Sequence, residues 1–313
     1  MNTKLKNGIS LITCCMNRYE NLISSLESWL QINEINEIII VNWNSEKFHW
    51  DAINKLDKQN RIKCIDVTNE KYWILTHAYN LASEFVTYDK ILKVDCDVKL
   101  NSDFLLNHKL NSGIFFRGNY RTIKNKKDFH LNGQFFCETN DYKKVNGFNE
   151  NILTYGYDDE DLYSRLRSLK KEVTINEKYM IHQSHDHRQK NSIECLYNHK
   201  LEMILNILDT DEQKMTYRNE LFCKHIKWNS NSKKSKWNIN EVKYQHYICE
   251  RISPEIVFMD YNKLNIKIDS VHIKKFYYNL KKWKFSKMNC LYDDVFDEQK
   301  FKEELKQKID YVN

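Results

Sequence analysis

The chain has 313 residues, enough for one large α/β domain with a smaller appendage. Hydrophobic residues make up 41% and aromatics 13%, the formal charge is +6, and nine cysteines are scattered without a Cys-x-x-Cys. A core-building protein fits this composition. A membrane span of about 18 apolar residues, a signal peptide at the polar start and a disulfide framework do not, and the expectation is a soluble cytoplasmic protein with reduced thiols.

In chain order, Ile9 to Cys15 reads as a first strand. Tyr19 to Leu30 carries Leu22, Ile23, Leu26, Trp29 and Leu30 at helical spacing. Glu37 to Trp43 contains Ile38-Ile39-Ile40-Val41, the continuous apolar run of a strand buried on both faces. Arg61 to Val67 is a third strand, and Tyr72 to Phe85 is a helix with Ile74, Leu75, Ala78, Leu81 and Ala82 on one face. Ile91 to Val94 is a fourth strand. This alternation predicts a doubly wound sheet with right-handed crossovers.

The fourth strand ends in Asp95-Cys96-Asp97. Ligands of open α/β sheets bind at the rim where the strands end, and hard carboxylate oxygens there suit a phosphate-carrying divalent cation. Beyond this pair the pattern changes. Ile114 to Arg117 and Gln134 to Cys137 read as strands flanking a lysine-rich loop at Lys124 to Asp128. Asp141 to Val145 reads as a short helix and Asp158 to Leu169 as a longer one. Tyr179 to Ile181 is extended, and a helix follows with Leu196, Leu201, Ile204 and Leu208.

The longer helix opens on Asp158-Asp159-Glu160-Asp161. Capping and the helix dipole account for acids in a first turn, which covers Asp158 and Asp159; Glu160 and Asp161 exceed that need. A carboxylate held near a cation site is a candidate general base for a hydroxyl. Met180 to His187 holds three histidines, and imidazoles joined to carboxylates favour manganese over calcium.

Taken together, these segments resemble the GT-A glycosyltransferases, above all the inverting branch with the animal β-1,4-galactosyltransferases and the catalytic domains of bacterial chondroitin polymerases. The resemblance spans roughly residues 9–190. It rests on Asp95-Cys96-Asp97, on Asn146-Gly147-Phe148 followed by Gly156-Tyr157, Glu160-Asp161 and Arg165-Leu166, and on Ile39 to Ser45, which is similar to the second strand of family-2 enzymes. It implies an α/β, GT-A (Rossmann-like), mixed and mostly parallel sheet flanked by helices, with a smaller C-terminal α+β appendage. It also implies a metal-dependent inverting transfer of a sugar from a UDP-sugar donor to a glycan acceptor, with Mn2+ or Mg2+ as cofactor.

The site residues implied are Asp161 as catalytic base with Glu160 beside it. Asp97 binds metal directly, with Asp95 in the metal or ribose shell and His182 or His185 as a further ligand. Arg18, Asn42, Asn80 and Asp95 lie on the nucleotide side, and Gly156, Tyr157 and Asp159 on the acceptor side. Asn42 stands where relatives carry a uracil-reading aspartate.

The polar stretch Trp228 to Trp237 predicts a boundary between a transferase domain at 1–227 and an appendage at 228–313. The appendage holds possible strands at Tyr244 to Ile252 and Glu255 to Met259 and a helix at Asp297 to Ile309. It is rich in lysine: Lys233-Lys234, Lys236, Lys274-Lys275 and Lys281-Lys282. Solvated helix faces explain these charges, so no specific nucleic-acid partner is expected. The alternative is a polyanion-binding protein acting through this basic part.

Overall fold

A computed structural model describes residues 4–119, 131–185, 211–252 and Glu303. The chain divides into two units. Among the described residues, the first holds 4–154, 158–185 and 228–252, and the second holds 155–157, 211–227 and Glu303. The expected lysine-rich loop at 124–128, the helix around 196–208, the strand at 255–259 and the helix at 297–309 lie outside the described residues, as do the lysine pairs at 274–275 and 281–282.

The first unit begins with β1 (Lys6–Cys15), α1 (Tyr19–Leu30), β2 (Ile35–Trp43), α2 (Trp50–Leu56), β3 (Ile62–Val67), α3 (Leu75–Glu84) and β4 (Tyr88–Lys93). It continues with β5 (Val98–Leu100), α4 (Phe104–Asn107), β6 (Ile114–Arg117), β7 (Phe135–Glu138), α5 (Thr139–Lys144), α6 (Asp158–Arg167), β8 (Lys171–Thr174), β9 (Met180–His182), β10 (Lys236–Lys243) and β11 (His246–Ile252). The second unit contains α7 (Asp211–His225).

Among the described residues, nine strands form one sheet in the order β10-β11-β3-β2-β1-β4-β7-β6-β8, and β5 pairs with β9 in a separate two-stranded sheet. β1 lies between β2 and β4, parallel to both, with Ile12 opposite Ile39 on one side and Lys93 on the other. The apolar run Ile38–Val41 is fully buried, as a central parallel strand requires. The sheet turns antiparallel where β7 joins β4, so the fold is a mixed, mostly parallel sheet flanked by helices, as expected.

α1 buries Leu22, Ser25, Leu26 and Trp29 at three- and four-residue spacing. Its Trp29 indole donates to the Val98 carbonyl at 3.0 Å, fixing the start of β5 against the helix. α3 buries every residue from Thr76 to Ser83. α2 was not expected: its sequence, Trp50-Asp51-Ala52-Ile53-Asn54-Lys55-Leu56, offers Ile53 as its one buried residue.

The stretch 228–252, expected in the appendage, packs on the first unit. β10 and β11 form an antiparallel hairpin, and β11 runs parallel to β3 with Cys249 opposite Val67. Arg251 ties the hairpin to the rim. It pairs with Glu70 and donates from Nη1 to Ser235 Oγ at 2.6 Å and to His77 Nδ1 at 2.8 Å, with its guanidinium 4.6 Å from the Trp237 ring. No described helix is long and apolar enough to cross a membrane.

Candidate active site

The two carboxylates of Asp95-Cys96-Asp97 separate in space. After β4 the chain turns, with Val98 N–H bonded to the Asp95 carbonyl at 3.0 Å, and enters β5. Because β5 pairs with β9, Val98 stands opposite His182, and Gln183 N–H donates to the Asp97 carbonyl at 2.8 Å. The Gln183 side chain donates to Ser25 Oγ at 2.7 Å and to the Asn21 carbonyl at 3.0 Å, which secures the histidine segment to α1.

This pairing delivers His182 and His185 to Asp97. Their Nε2 atoms lie 3.8 Å and 3.2 Å from Asp97 Oδ2, and one ligand atom from each of the three residues falls within 4.8 Å of the others. Arg18, just before α1, donates to the same Asp97 oxygen at 2.6 Å. Asp97 itself is buried, at 4% exposure. One hard oxygen and two imidazole nitrogens converging on a point are a fitting donor set for a divalent transition ion.

Asp95 stands outside this cluster. Lys93 Nζ is 2.7 Å from its Oδ1, the Tyr79 hydroxyl donates to Oδ1 at 2.8 Å, and the Gln134 amide donates to Oδ2 at 2.6 Å. Burial pushes the Asp95 carboxyl up. The Lys93 ammonium and these hydrogen bonds outweigh burial and hold it below the ordinary carboxylate value. For Lys93, burial acts to lower its value, and attraction to Asp95 and then Asp159 holds it above the ordinary one.

Helix geometry sorts the four acids of α6. Asp159 and Tyr163, four residues apart, share one face. The Tyr163 hydroxyl shares its proton between the Asn132 and Gln134 carbonyls at 3.0 and 3.1 Å, docking that face onto the segment before β7. There Gly133 brings three charges together: a Cβ added to it would lie 2.8 Å from Lys93 Nζ, 3.1 Å from Asp95 Oδ2 and 3.3 Å from Asp159 Oδ2. Asp159 Oδ1 is buried with no hydrogen-bond partner among the described residues. Burial and then repulsion from Asp158 push the Asp159 carboxyl well up; Lys93 offsets part of this.

Asp161 and Glu160, expected as base and acceptor residue, are each engaged by arginines. Asp161 Oδ2 accepts from Arg165 Nη2 at 2.6 Å and Nε at 3.0 Å. Glu160 Oε1 accepts from Arg117 at 2.6 Å, and its other oxygen lies 3.5 Å from Arg167. The sequence signal for Asp159 was present but weak, because a first-turn acid is what capping alone predicts.

Two expected nucleotide residues, Asn80 and Asn42, have side chains hydrogen-bonded within the protein. Every polar group of the Asn80 side chain is engaged: its amide donates to the Phe148 carbonyl at 2.9 Å and Glu150 Oε1 at 2.8 Å, and its oxygen accepts from Phe148 N–H at 2.8 Å and the Tyr142 hydroxyl at 2.9 Å. Asn80 therefore shapes the Asn146-Gly147-Phe148 turn. Asn42 donates to Asp66 Oδ1 at 2.7 Å and accepts from Ser45 N–H at 3.2 Å, bracing the end of β2. Gly156 and Tyr157, expected at the acceptor, belong to the second unit. Both have positive φ, +92° and +68°, and Asn219 donates to the Gly156 carbonyl at 2.8 Å.

Seven described cysteines are free. Burial raises the Cys14 and Cys137 thiols well above their ordinary value and takes Cys64 and Cys249 to about 12, away from thiolate chemistry.

Residues 120–188, which carry Asp158–Asp161, His182 and His185, match the family described as the N-terminal domain of galactosyltransferase. Among solved structures, the chain is similar to the catalytic domain of Drosophila β1,4-galactosyltransferase 7 in complex with xylobiose, at 14% identity and a TM-score of 0.52, over 85% of this chain and 100% of that one. A variant of that domain in complex with manganese, UDP-Gal and xylobiose is similar at 15% identity and a TM-score of 0.51, over 83% and 98%. No curated protein sequence matches the chain. The solved structures establish the GT-A fold, the fold of those glycosyltransferases, for this chain.

Proposed function

We propose that this protein is a metal-dependent, inverting hexosyltransferase that moves a sugar from a UDP-type nucleotide sugar to a glycan hydroxyl. The observation that carries the reading is the convergence of Asp97, His182 and His185 beside Arg18 at the rim of a GT-A sheet. The similar Drosophila domain that holds manganese, UDP-Gal and xylobiose supports the choice of donor, cofactor and acceptor class. Free, buried cysteines are consistent with work in a reducing compartment.

Asp97, His182 and His185 would hold the divalent ion, and a borderline imidazole pair with one carboxylate suits manganese. Such an ion, when bound, supplies Lewis-acid neutralisation of the diphosphate leaving group. Arg18 adds a permanent positive charge for the same phosphates. Asp159 is the base in this reading: it takes the acceptor hydroxyl proton as the oxygen attacks. Its raised proton affinity brings it nearer the range where general bases work well. Asp161 and Glu160 hold α6 so that Asp159 faces Gly133. One displacement from the face opposite the leaving group inverts the anomeric centre and calls for no enzyme nucleophile.

The test is turnover of a panel of nucleotide sugars, with and without Mn2+, by the unsubstituted protein, Asp97→Ala and Asp159→Asn. Metal-dependent turnover of one UDP-sugar, abolished in Asp97→Ala and accompanied by inversion in the product NMR spectrum, is the expected result. A folded protein that binds and turns over none of them would falsify the reading.

A further inference from the structure

We propose that Lys93 is a positioning residue for this reaction: its buried ammonium keeps Asp95 turned away from the Asp97–His182–His185 cluster and is the counter-charge against which Asp159 holds or releases its proton. The proposal rests on Asp159 acting as the base.

A lysine inside Ile91-Leu92-Lys93-Val94 breaks an apolar strand. At 1% exposure its ammonium has left water, which is costly unless the charge is matched. The match is local. The ammonium donates to the Gly133 carbonyl at 2.6 Å and pairs with Asp95 at 2.7 Å, with the Tyr79 ring 4.6 Å away. Tyr79 and Gln134 complete the grip on Asp95. A carboxylate with this many partners cannot rotate toward the metal cluster without abandoning a buried cation. That accounts for the different roles of two acids only two residues apart.

The same ammonium reaches Asp159. Among the described residues, the charged and titratable groups that act most strongly on Asp159 are Lys93 and Asp95 from the end of β4, and Asp158 and Glu160 from α6, with Tyr163 on the same face of the helix. Among those described groups Lys93 is the cation. Around the point above Gly133 it faces two carboxylates, Asp95 and Asp159, so it balances one of them and the other is the natural home for a proton. Whether Asp159 is charged at a given pH therefore depends on the ammonium of Lys93.

The experiment follows the Asp159 carboxyl by 13C NMR across pH in the full-length, metal-free protein, with Asp159→Asn identifying the resonance, alongside the pH profile of kcat/KM. In Lys93→Met the Asp159 midpoint and the acidic limb of the profile are expected to rise together by about one to three pH units, the effect of removing an opposite charge at this range. Lys93→Arg is expected to restore both most of the way. An unmoved midpoint in folded Lys93→Met overturns the proposal. Should Lys93→Met not fold, the 15Nζ resonance of Lys93 in the unsubstituted protein decides. A step at the Asp159 midpoint that vanishes in Asp159→Asn supports the coupling, and no step overturns it. If the Asp159 midpoint moves and the activity limb does not, the counter-charge stands and Asp159 as base falls.

Discussion

Arg165 grips Asp161 one turn back on α6 at 2.6 Å, and the same guanidinium donates from Nη1 to the Val145 and Gly147 carbonyls. The arginine thereby clamps the Asn146-Gly147-Phe148 turn to the helix that carries Asp159. Asp161→Asn removes the charge from this clamp and is expected to lower stability by about 1–3 kcal/mol, read as a fall in thermal midpoint, while turnover stays within roughly tenfold. Asp159→Asn is expected to cut turnover by about 10²–10⁴. A turnover loss of that size in Asp161→Asn with an unchanged melt would return the base to Asp161.

Metal affinity separates Asp97 from Asp95. Asp97→Asn, His182→Ala and His185→Ala each remove a converging ligand atom. Each should weaken Mn2+ binding beyond the roughly 10–100-fold that loss of a supporting hydrogen bond costs. Asp95→Asn should weaken it less and instead lower stability, because Lys93 loses its ion pair. Calorimetric Mn2+ titration checks this, and equal losses for Asp95→Asn and Asp97→Asn would contradict the geometry.

Gly147 and Asn80 give a stability prediction. Gly147 has φ +62°, and a Cβ there would run into Asn80 Oδ1. Gly147→Ala should therefore cost at least about 1–3 kcal/mol. Asn80→Ala strands Phe148 N–H and the Tyr142 hydroxyl and should also lower the melting point, leaving the nucleotide dissociation constant of the remaining folded protein unchanged. A nucleotide-specific loss in Asn80→Ala would reinstate it as a nucleotide ligand.

Two buried histidines set an acid limit on stability. Burial lowers His77, with Arg251 adding to it, and burial lowers His108. His108 Nδ1 donates to the Phe104 carbonyl at 2.7 Å while Nε2 accepts from Asn176 N–H at 2.9 Å, an arrangement that requires the neutral ring. The unfolded chain takes up these protons near pH 6.5 and the folded chain resists. Their contribution is thus fully present above about pH 6.5 and is lost as pH falls below it. Urea midpoints should decline from pH 7.5 to 5.5, and a flat profile would contradict this.

Asp159 has the opposite sign. Its raised carboxyl makes ionisation costly in the folded state, so its penalty appears as pH climbs above the ordinary carboxylate value. Asp159→Asn should melt higher than the unsubstituted protein at pH 7 while losing activity, the trade expected of a base held in a buried site. A lower melting point at that pH would show that the charge is stabilised by contacts other than Lys93.

The local elements were legible in the sequence because their signals are local. Ile38–Val41 must be a buried strand, α1 shows its apolar stripe, and Asp95-Cys96-Asp97 stands at a strand end wherever the rest of the chain goes. Tertiary structure decided which side chains meet, because the deciding partners are far apart in the chain. The β5–β9 pair brings His182 and His185 to Asp97, while Lys93, Tyr79 and Gln134 hold Asp95 apart from them. Asn80 and Asn42 look like free polar ligands in one dimension, yet the fold engages both in turns. The proposal of Asp159 rather than Asp161 as base rests on which face of α6 meets Gly133. The place of 236–252 depends on β11 reaching β3 across some 180 residues of chain, a pairing that no local pattern encodes.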